Sequence, residues 1–131
     1  MPDRPLQKGA ETPVFIVDWE MCHLGVRPVD LGQMIAEMWE LSLFKGVDEG
    51  KWLIEGFVGG YGSFDDDFAF RTAIHVGTHL VCWGSRVSGW GTEEQVRQVV
   101  GMGKEVVLRA WRRDRAWFEA GDLACLFNNR H

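Results

Sequence analysis

The chain has 131 residues, a formal net charge of −5 and a sequence pI of about 5.3. This length suffices for one domain that buries roughly two thirds of its unfolded surface, and 46% hydrophobic with 25% charged residues is ordinary for a globular protein. The acidic balance argues against a nucleic-acid partner. The absence of a long apolar run or an apolar leader argues against a membrane partner and predicts a cytoplasmic protein.

The first predicted element is a β-strand. Residues 1–12 are polar and carry two prolines, which predicts a flexible tail. Residues 14–17 are contiguous apolar residues, mostly β-branched, and predict a strand over 13–18. Such a strand needs a neighbour to satisfy its backbone N–H and C=O groups, and the sequence offers no convincing second strand.

A first helix is predicted over 31–44, with Asp30 as its N-cap and Gly46 as its stop. Its buried face is expected to consist of apolar residues at helical spacing: Leu31, Met34, Ile35, Met38 and Leu41. The acidic residues Glu37 and Glu40 are expected to face away from the core.

Two further helices are predicted over 48–58 and 66–87. The acidic run 65–67 precedes the second of these, where carboxylates favour a helix N-terminus. A calcium loop is the alternative, but its alternating ligands and later glutamate are missing. Because residues 72–83 contain no Lys, Arg, Asp or Glu, this helix is expected to be the buried central one.

The last helix is predicted over 93–120, with Thr92 and Gln95 forming a capping box. Gly101 and Gly103 weaken it and suggest a close helix–helix contact. The basic stretch 109–115 is interpreted as a solvated helix face. The predicted fold is therefore mainly α, with one N-terminal β-strand followed by about four helices and no internal boundary.

Histidines, cysteines and tryptophans give weaker signals. His75 and His79 lie four residues apart and could hold zinc, but no third ligand is obvious, so hydrogen-bonded interior histidines are favoured. Three cysteines without C-x-x-C spacing predict buried free thiols. Trp39, Trp83 and Trp90 are candidates for lining a ligand pocket, although packing explains them equally well.

Asp18 is the strongest candidate site residue. It ends the predicted strand and precedes a glycine-containing turn, a position suited to holding Mg²⁺ together with waters and nucleotide phosphates. A capping or salt-bridged aspartate is the alternative, and the residues alone leave both interpretations open.

The segment around Asp18 resembles the metal-binding segment of the aminoglycoside phosphotransferase and choline kinase-like superfamily, which has a protein kinase-like fold. That family shows a hydrophobic strand, Asp-Trp-Glu or Asp-Phe-Glu, a Gly-x-Pro stretch and then Asp-Leu-Ala or similar. The matching residues here are Asp18-Trp19-Glu20, Gly25-Val26-Arg27-Pro28 and Asp30-Leu31-Gly32. Residues 75–86 also resemble the helical C-terminal part of fungal members, so residues 13–131 are expected to form part of a kinase-like C-terminal lobe.

By this resemblance, Asp18 is the Mg²⁺ ligand and Asp30 structurally supports the site. The family reaction transfers a phosphoryl group from ATP to a hydroxyl or amine of a small-molecule acceptor, and the helices after Asp30 line the acceptor pocket. The family's His-Gly-Asp catalytic loop, its following Asn and its nucleotide-binding lysine do not occur in this sequence. The chain is therefore expected to contain no catalytic residue and to be inactive by itself.

A non-catalytic helical interaction domain is the alternative function. In that case the apolar strand at its start would pair with another chain, including a second copy of itself, because an unpaired edge invites strand addition.

Overall fold

The computed structural model describes residue 9, residues 11–17, residue 20, residues 22–86 and residues 89–128. Within these residues the chain is mainly helical and contains no β-strand. The helices are α1 (Arg27–Lys45), α2 (Glu49–Tyr61), α3 (Asp66–Cys82), α4 (Glu93–Trp111), α5 (Arg115–Glu119) and α6 (Cys125–Asn128). None of these helices combines the length and the apolar composition needed to cross a membrane.

The predicted strand over 13–18 is wrong for the part that the structure describes. Residues 11–17 form neither helix nor strand, and the side chains of Val14, Phe15 and Val17 are 80%, 84% and 71% exposed. A strand requires a neighbouring strand for its backbone hydrogen bonds, and the described residues supply none. Residue 18, and residues 1–8 and 10 of the predicted tail, lie outside the described residues.

Helix α1 begins earlier than predicted, at Arg27. Pro28 occupies its first turn, where a fixed φ and a missing N–H favour helix initiation. The N-cap is Val26, so the prediction of Asp30 as N-cap is wrong. Asp30 lies inside the first turn, where its negative charge interacts favourably with the helix dipole. Gly46, with φ of 64°, ends α1 as predicted.

Helix α3 is the buried central helix, as predicted, and packs between α1 and α4. Ala73, Val76 and Leu80 are fully buried along it. Its N-cap is Asp65, whose carboxylate accepts a hydrogen bond of 2.8 Å from the N–H of Phe68. The helix ends at Cys82 rather than at residue 87, and residues 83–86 continue as turns.

The predicted single helix over 93–120 is two helices. Helix α4 begins with the predicted capping box of Thr92 and Gln95 but ends at Trp111. Arg113 then adopts a positive φ of 55°, which turns the chain. Asp114 starts α5 by accepting a hydrogen bond from the N–H of Trp117.

The break after α4 folds the end of the chain back onto the core. Helices α5 and α6 bury Phe118 and Phe127, whose rings stack at 4.8 Å and both contact Phe70 of α3. The guanidinium of Arg115 donates to the carboxylates of Asp66 and Glu119 and to the carbonyl of Phe127. The C-terminal segment is thereby joined to α3.

Two close crossings set the positions of the long helices. A Cβ atom added to Gly32 of α1 would lie 2.6 Å from the Cβ of His75 in α3. One added to Gly103 of α4 would lie 2.7 Å from the carbonyl oxygen of Gly77 in α3. Both distances are shorter than side chains tolerate, so glycine permits the helices to approach this closely. The crossing at Gly32 brings the middle of α1 against the second half of α3.

Candidate functional site

The predicted metal ligand, Asp18, lies outside the described residues. Because Asp18 and Trp19 are not described, the structure gives no distance from Asp18 to Asp30. Asp30 is exposed in the first turn of α1. The assignments of Asp18 as metal ligand and Asp30 as structural support therefore stay predictions.

The two histidines predicted as a zinc pair have different surroundings. His75 is half-buried against Gly32, at the α1–α3 crossing. His79 is buried one turn further along α3, where its Nε2 atom lies 2.9 Å from Oε1 of Glu37 in α1. The acidic groups near His79 come from α1, which the sequence spacing of the histidines alone does not reveal.

The structure instead brings together Glu37, Glu40 and His79. One potential ligand atom from each of these residues lies within 4.8 Å of the other two. Glu37 is exposed, whereas Glu40 and His79 are only 4% and 8% exposed. The cluster therefore has a buried side, formed by Glu40 and His79, and a side open to solvent at Glu37.

Two buried polar atoms of this cluster have no hydrogen-bond partner among the described residues: Oε1 of Glu40 and Nε2 of His79. The 2.9 Å contact between His79 and Glu37 is close enough for an ion pair but lacks the alignment of a hydrogen bond. Buried polar groups are normally hydrogen-bonded because leaving one unpaired is costly. The cluster is therefore polar, buried and incompletely satisfied.

Burial also changes the protonation of Glu40. Loss of solvent, followed by repulsion from the neighbouring Glu37 carboxylate, raises the pKa of Glu40 from 4.5 to about 7. A carboxyl group with this pKa exchanges its proton near neutral pH, which is unusual for glutamate.

Sequence reasoning placed Glu40 on the outer face of α1, and that prediction is wrong. Gly32, Ala36 and Glu40 follow one another at intervals of four and lie on the same row of the helix surface. Gly32 touches α3 and Ala36 is fully buried, so this row faces α3. The small residues at 32 and 36 were the available signal, and they place Glu40 in the same contact.

The three tryptophans that are candidates for lining a ligand pocket have different surroundings. Trp83 is 53% exposed, and Trp90 packs edge-on against Phe44. Trp39 lines a cavity of about 210 Å³ together with Trp117. Its indole N–H donates to Oδ2 of Asp122 at 3.2 Å, so Trp39 also serves the packing that the alternative interpretation predicted.

The charged runs are used in capping and ion pairs. Asp65 caps α3, and Asp66 and Asp67 pair with Arg115 and Arg113. Arg109, the first residue of the basic stretch, pairs with carboxylates on both sides of the helix break, at Glu105 and Asp114. These contacts support a structural role for both runs.

All three cysteines lie in the described part of the chain and are free thiols, as predicted. The prediction that they are buried is wrong for two of them. Cys22 and Cys82 are exposed, and Cys125 is partly buried. Burial raises the pKa of Cys125 to about 11, so its thiol stays protonated and unreactive at neutral pH.

Three curated proteins resemble the chain. It is 29% identical over 100 residues to the phosphotransferase FrzJ of Cladobotryum sp, a match that covers 76% of this chain and 26% of that protein. It is 27% identical to the 4-hydroxytryptamine kinases of Psilocybe cubensis and Psilocybe cyanescens, over 63% and 72% of this chain and 23% and 26% of those proteins. No family model and no solved structure matches significantly.

The chain thus spans about a quarter of the length of the curated relatives it matches. All three relatives are named as phosphotransferases or kinases. The chain is a mainly helical protein with distant similarity to proteins of this kind.

Proposed function

We propose that the chain is the helical C-terminal part of a kinase of the aminoglycoside phosphotransferase and choline kinase-like superfamily. The similarity of most of the chain to three proteins named as phosphotransferases or kinases carries this proposal. The motif residues Asp18-Trp19-Glu20 and Asp30-Leu31-Gly32 support it. In this assignment the complete kinase transfers a phosphoryl group from ATP to a hydroxyl or amine of a small molecule.

Asp18 is the residue of this chain that would ligate Mg²⁺. Magnesium usually takes one or two protein carboxylates and completes its shell with waters and phosphates, so a single aspartate suits it. The bound ion would neutralise charge on the nucleotide phosphates. Asp30 would support the position of the site, and α1 with the helices that follow would form the wall of the acceptor pocket.

The exposed apolar segment near the N-terminus also supports the proposal. Val14, Phe15 and Val17 point their side chains largely into solvent, which is costly for contiguous apolar residues. The family pattern has a hydrophobic strand at this position, and a strand needs a neighbour for its backbone hydrogen bonds. Residues 14–17 would regain strand structure beside strands supplied by the rest of the kinase.

We expect no ATP turnover from the isolated 131-residue chain. The sequence contains the proposed metal ligand but no His-Gly-Asp loop with its following Asn, so it lacks the base and second metal ligand of the family. Release of ADP with Mg²⁺ and a panel of hydroxylated amines should equal the blank, both for the natural chain and for Asp18→Ala. Turnover that Asp18→Ala abolishes would contradict the expected inactivity.

The genomic DNA upstream of the Met1 codon tests the family assignment separately. We expect it to encode His-Gly-Asp followed by an Asn within a few residues, in a frame or exon that continues into this chain. If the upstream DNA does not encode this His-Gly-Asp motif, the family assignment is contradicted.

A second candidate function is a non-catalytic interaction domain, and the same exposed segment favours it. Apolar side chains in an extended segment can add as a strand to another chain. This function predicts a dimer in size-exclusion chromatography with light scattering, and a monomer for Val17→Lys. A monomeric natural chain whose amides at 14–17 are already protected from hydrogen exchange would exclude it.

A further inference from the structure

We propose that Glu37, Glu40 and His79 form a binding site for one divalent transition-metal ion, with Zn²⁺ as the representative ion. The site is distinct from the proposed Mg²⁺ ligand Asp18 and does not depend on the proposed function. Two carboxylates and one imidazole are a donor set typical of zinc sites that keep one position open for water.

The spacing of the three residues along the helices supports the site. Glu37 and Glu40 are three residues apart and therefore project from one side of α1. His79 approaches them from α3 because Gly32 lets the two helices cross closely. Their ligand atoms lie within 4.8 Å of one another, whereas ligands about 2.0–2.2 Å from a common ion lie roughly 3–4 Å apart. Small side-chain rotations would close this difference.

The unpaired atoms are the second, independent observation. Glu40 is only 4% exposed, and its Oε1 atom has no hydrogen-bond partner among the described residues. Nε2 of the buried His79 likewise has no hydrogen-bond partner among the described residues, although it lies 2.9 Å from Oε1 of Glu37. A metal ion between them would satisfy both atoms at once.

Charge balance favours a dication. When both carboxyl groups are ionised, as metal binding requires, they and a neutral imidazole carry a charge of −2, which Zn²⁺ neutralises. Glu37 is half-exposed, with 48% of its side chain open to solvent, so an ion can enter from that side and a water can occupy the fourth position. The harder ions Mg²⁺ and Ca²⁺ prefer shells made of oxygen alone, so His79 selects against them.

The test is a titration of the whole chain, stripped of metal with EDTA and transferred to chelator-free buffer at pH 7.5, with ZnCl₂. We expect one Zn²⁺ per chain by isothermal titration calorimetry. Loss of even an outer-shell group weakens metal sites about 10- to 100-fold, so Glu40→Gln and His79→Gln should each weaken binding at least about 10-fold. His75→Gln and Cys82→Ser are matched controls on α3 and should bind like the natural chain.

Circular dichroism shows which variants fold. If His79→Gln unfolds, the result for Glu40→Gln decides the outcome, because glutamine keeps the shape of the glutamate side chain. Replacing zinc with Co²⁺ gives a second readout, because nitrogen and oxygen ligands produce visible absorption without the charge-transfer band of thiolates. No binding, undiminished binding by Glu40→Gln, or a thiolate band would each overturn the proposal. Such a failure leaves the kinase assignment untouched, because neither ATP nor Asp18 enters the experiment.

Discussion

Replacing Glu40 by glutamine is expected to stabilise the folded chain at pH 8 by roughly 3 kcal/mol and to change its stability at pH 5 much less. The reason is that Glu40 is 4% exposed and its pKa is raised from 4.5 to about 7. Above pH 7 the folded protein holds a buried carboxylate that the unfolded chain would hydrate fully. Glutamine has nearly the same shape and never ionises.

The direction of the pH dependence follows from proton binding. Between pH 4.5 and pH 7 the folded state keeps the Glu40 proton while the unfolded state loses it, so rising pH favours unfolding. Each pH unit in this window lowers the free energy of unfolding by about 1.4 kcal/mol. The stabilisation that the protonated Glu40 gives the folded state is fully present below pH 4.5 and is lost as the pH rises to 7. Above pH 7 the free energy of unfolding changes no further through this group.

Urea unfolding of both proteins at pH 5, 6, 7 and 8, in EDTA to keep the cluster free of metal, measures this effect. The difference in free energy of unfolding between Glu40→Gln and the natural chain should grow by roughly 2–3 kcal/mol from pH 5 to pH 8. Glu37→Gln is the matched control: it removes one exposed carboxylate on the same helix face and should give a smaller change. Parallel pH profiles for Glu40→Gln and the natural chain would contradict a buried titrating Glu40.

Two glycines of α4, two residues apart, are expected to respond oppositely to the same substitution. Gly103→Ala should destabilise the fold by about 2 kcal/mol, whereas Gly101→Ala should stabilise it by roughly 0.5–1 kcal/mol. A Cβ at Gly103 would lie 2.7 Å from the carbonyl oxygen of Gly77 and 2.9 Å from the Cβ of Leu80. Both are parts of α3 that cannot rotate away, so the two helices would have to separate.

Gly101 supplies the control because a Cβ there would meet nothing within 4 Å. Alanine at 101 then only removes the flexibility of glycine from the unfolded chain and from an exposed helix position. The urea concentration at the midpoint of unfolding reports both changes, provided that the dependence of the free energy of unfolding on urea concentration is the same for each variant. Equal stabilisation by the two alanines would show that α3 and α4 do not cross at Gly103.

Sequence patterns identified features that depend on nearby residues. The end of α1 at Gly46, the capping box at Thr92 and the buried course of α3 follow from turn chemistry, capping and apolar periodicity. The start of α1 was placed too late because two residues can mark it. Asp30 is a good N-cap residue and was chosen, whereas Pro28, a good first-turn residue, marks the start that the structure shows. The break before α5 was missed because apolar residues continue at helical spacing beyond Trp111, although Asp114 is a good N-cap residue.

Features that require a partner distant in sequence were harder to predict. A strand at 13–18 was inferred from composition, but strand structure needs a second strand, and the described chain has none. The cluster of Glu37, Glu40 and His79 joins residues about 40 positions apart. Only the helix crossing at Gly32 decides that His79, rather than a neighbour, meets the two glutamates. Spacing within α3 suggested a different pair, His75 with His79.

The fold-back after Trp111 has a consequence for shortened versions of the protein. Helices α5 and α6 and the turn between them supply four core side chains: Phe118, Leu123, Leu126 and Phe127. Burial of each is worth roughly 1.5–3 kcal/mol, which together rivals the 5–15 kcal/mol that keeps a typical domain folded. A premature stop codon near Asp114 would leave all residues of the three longest helices in place but would expose Phe70. We expect the shortened product to be unstable and to be degraded in the cell.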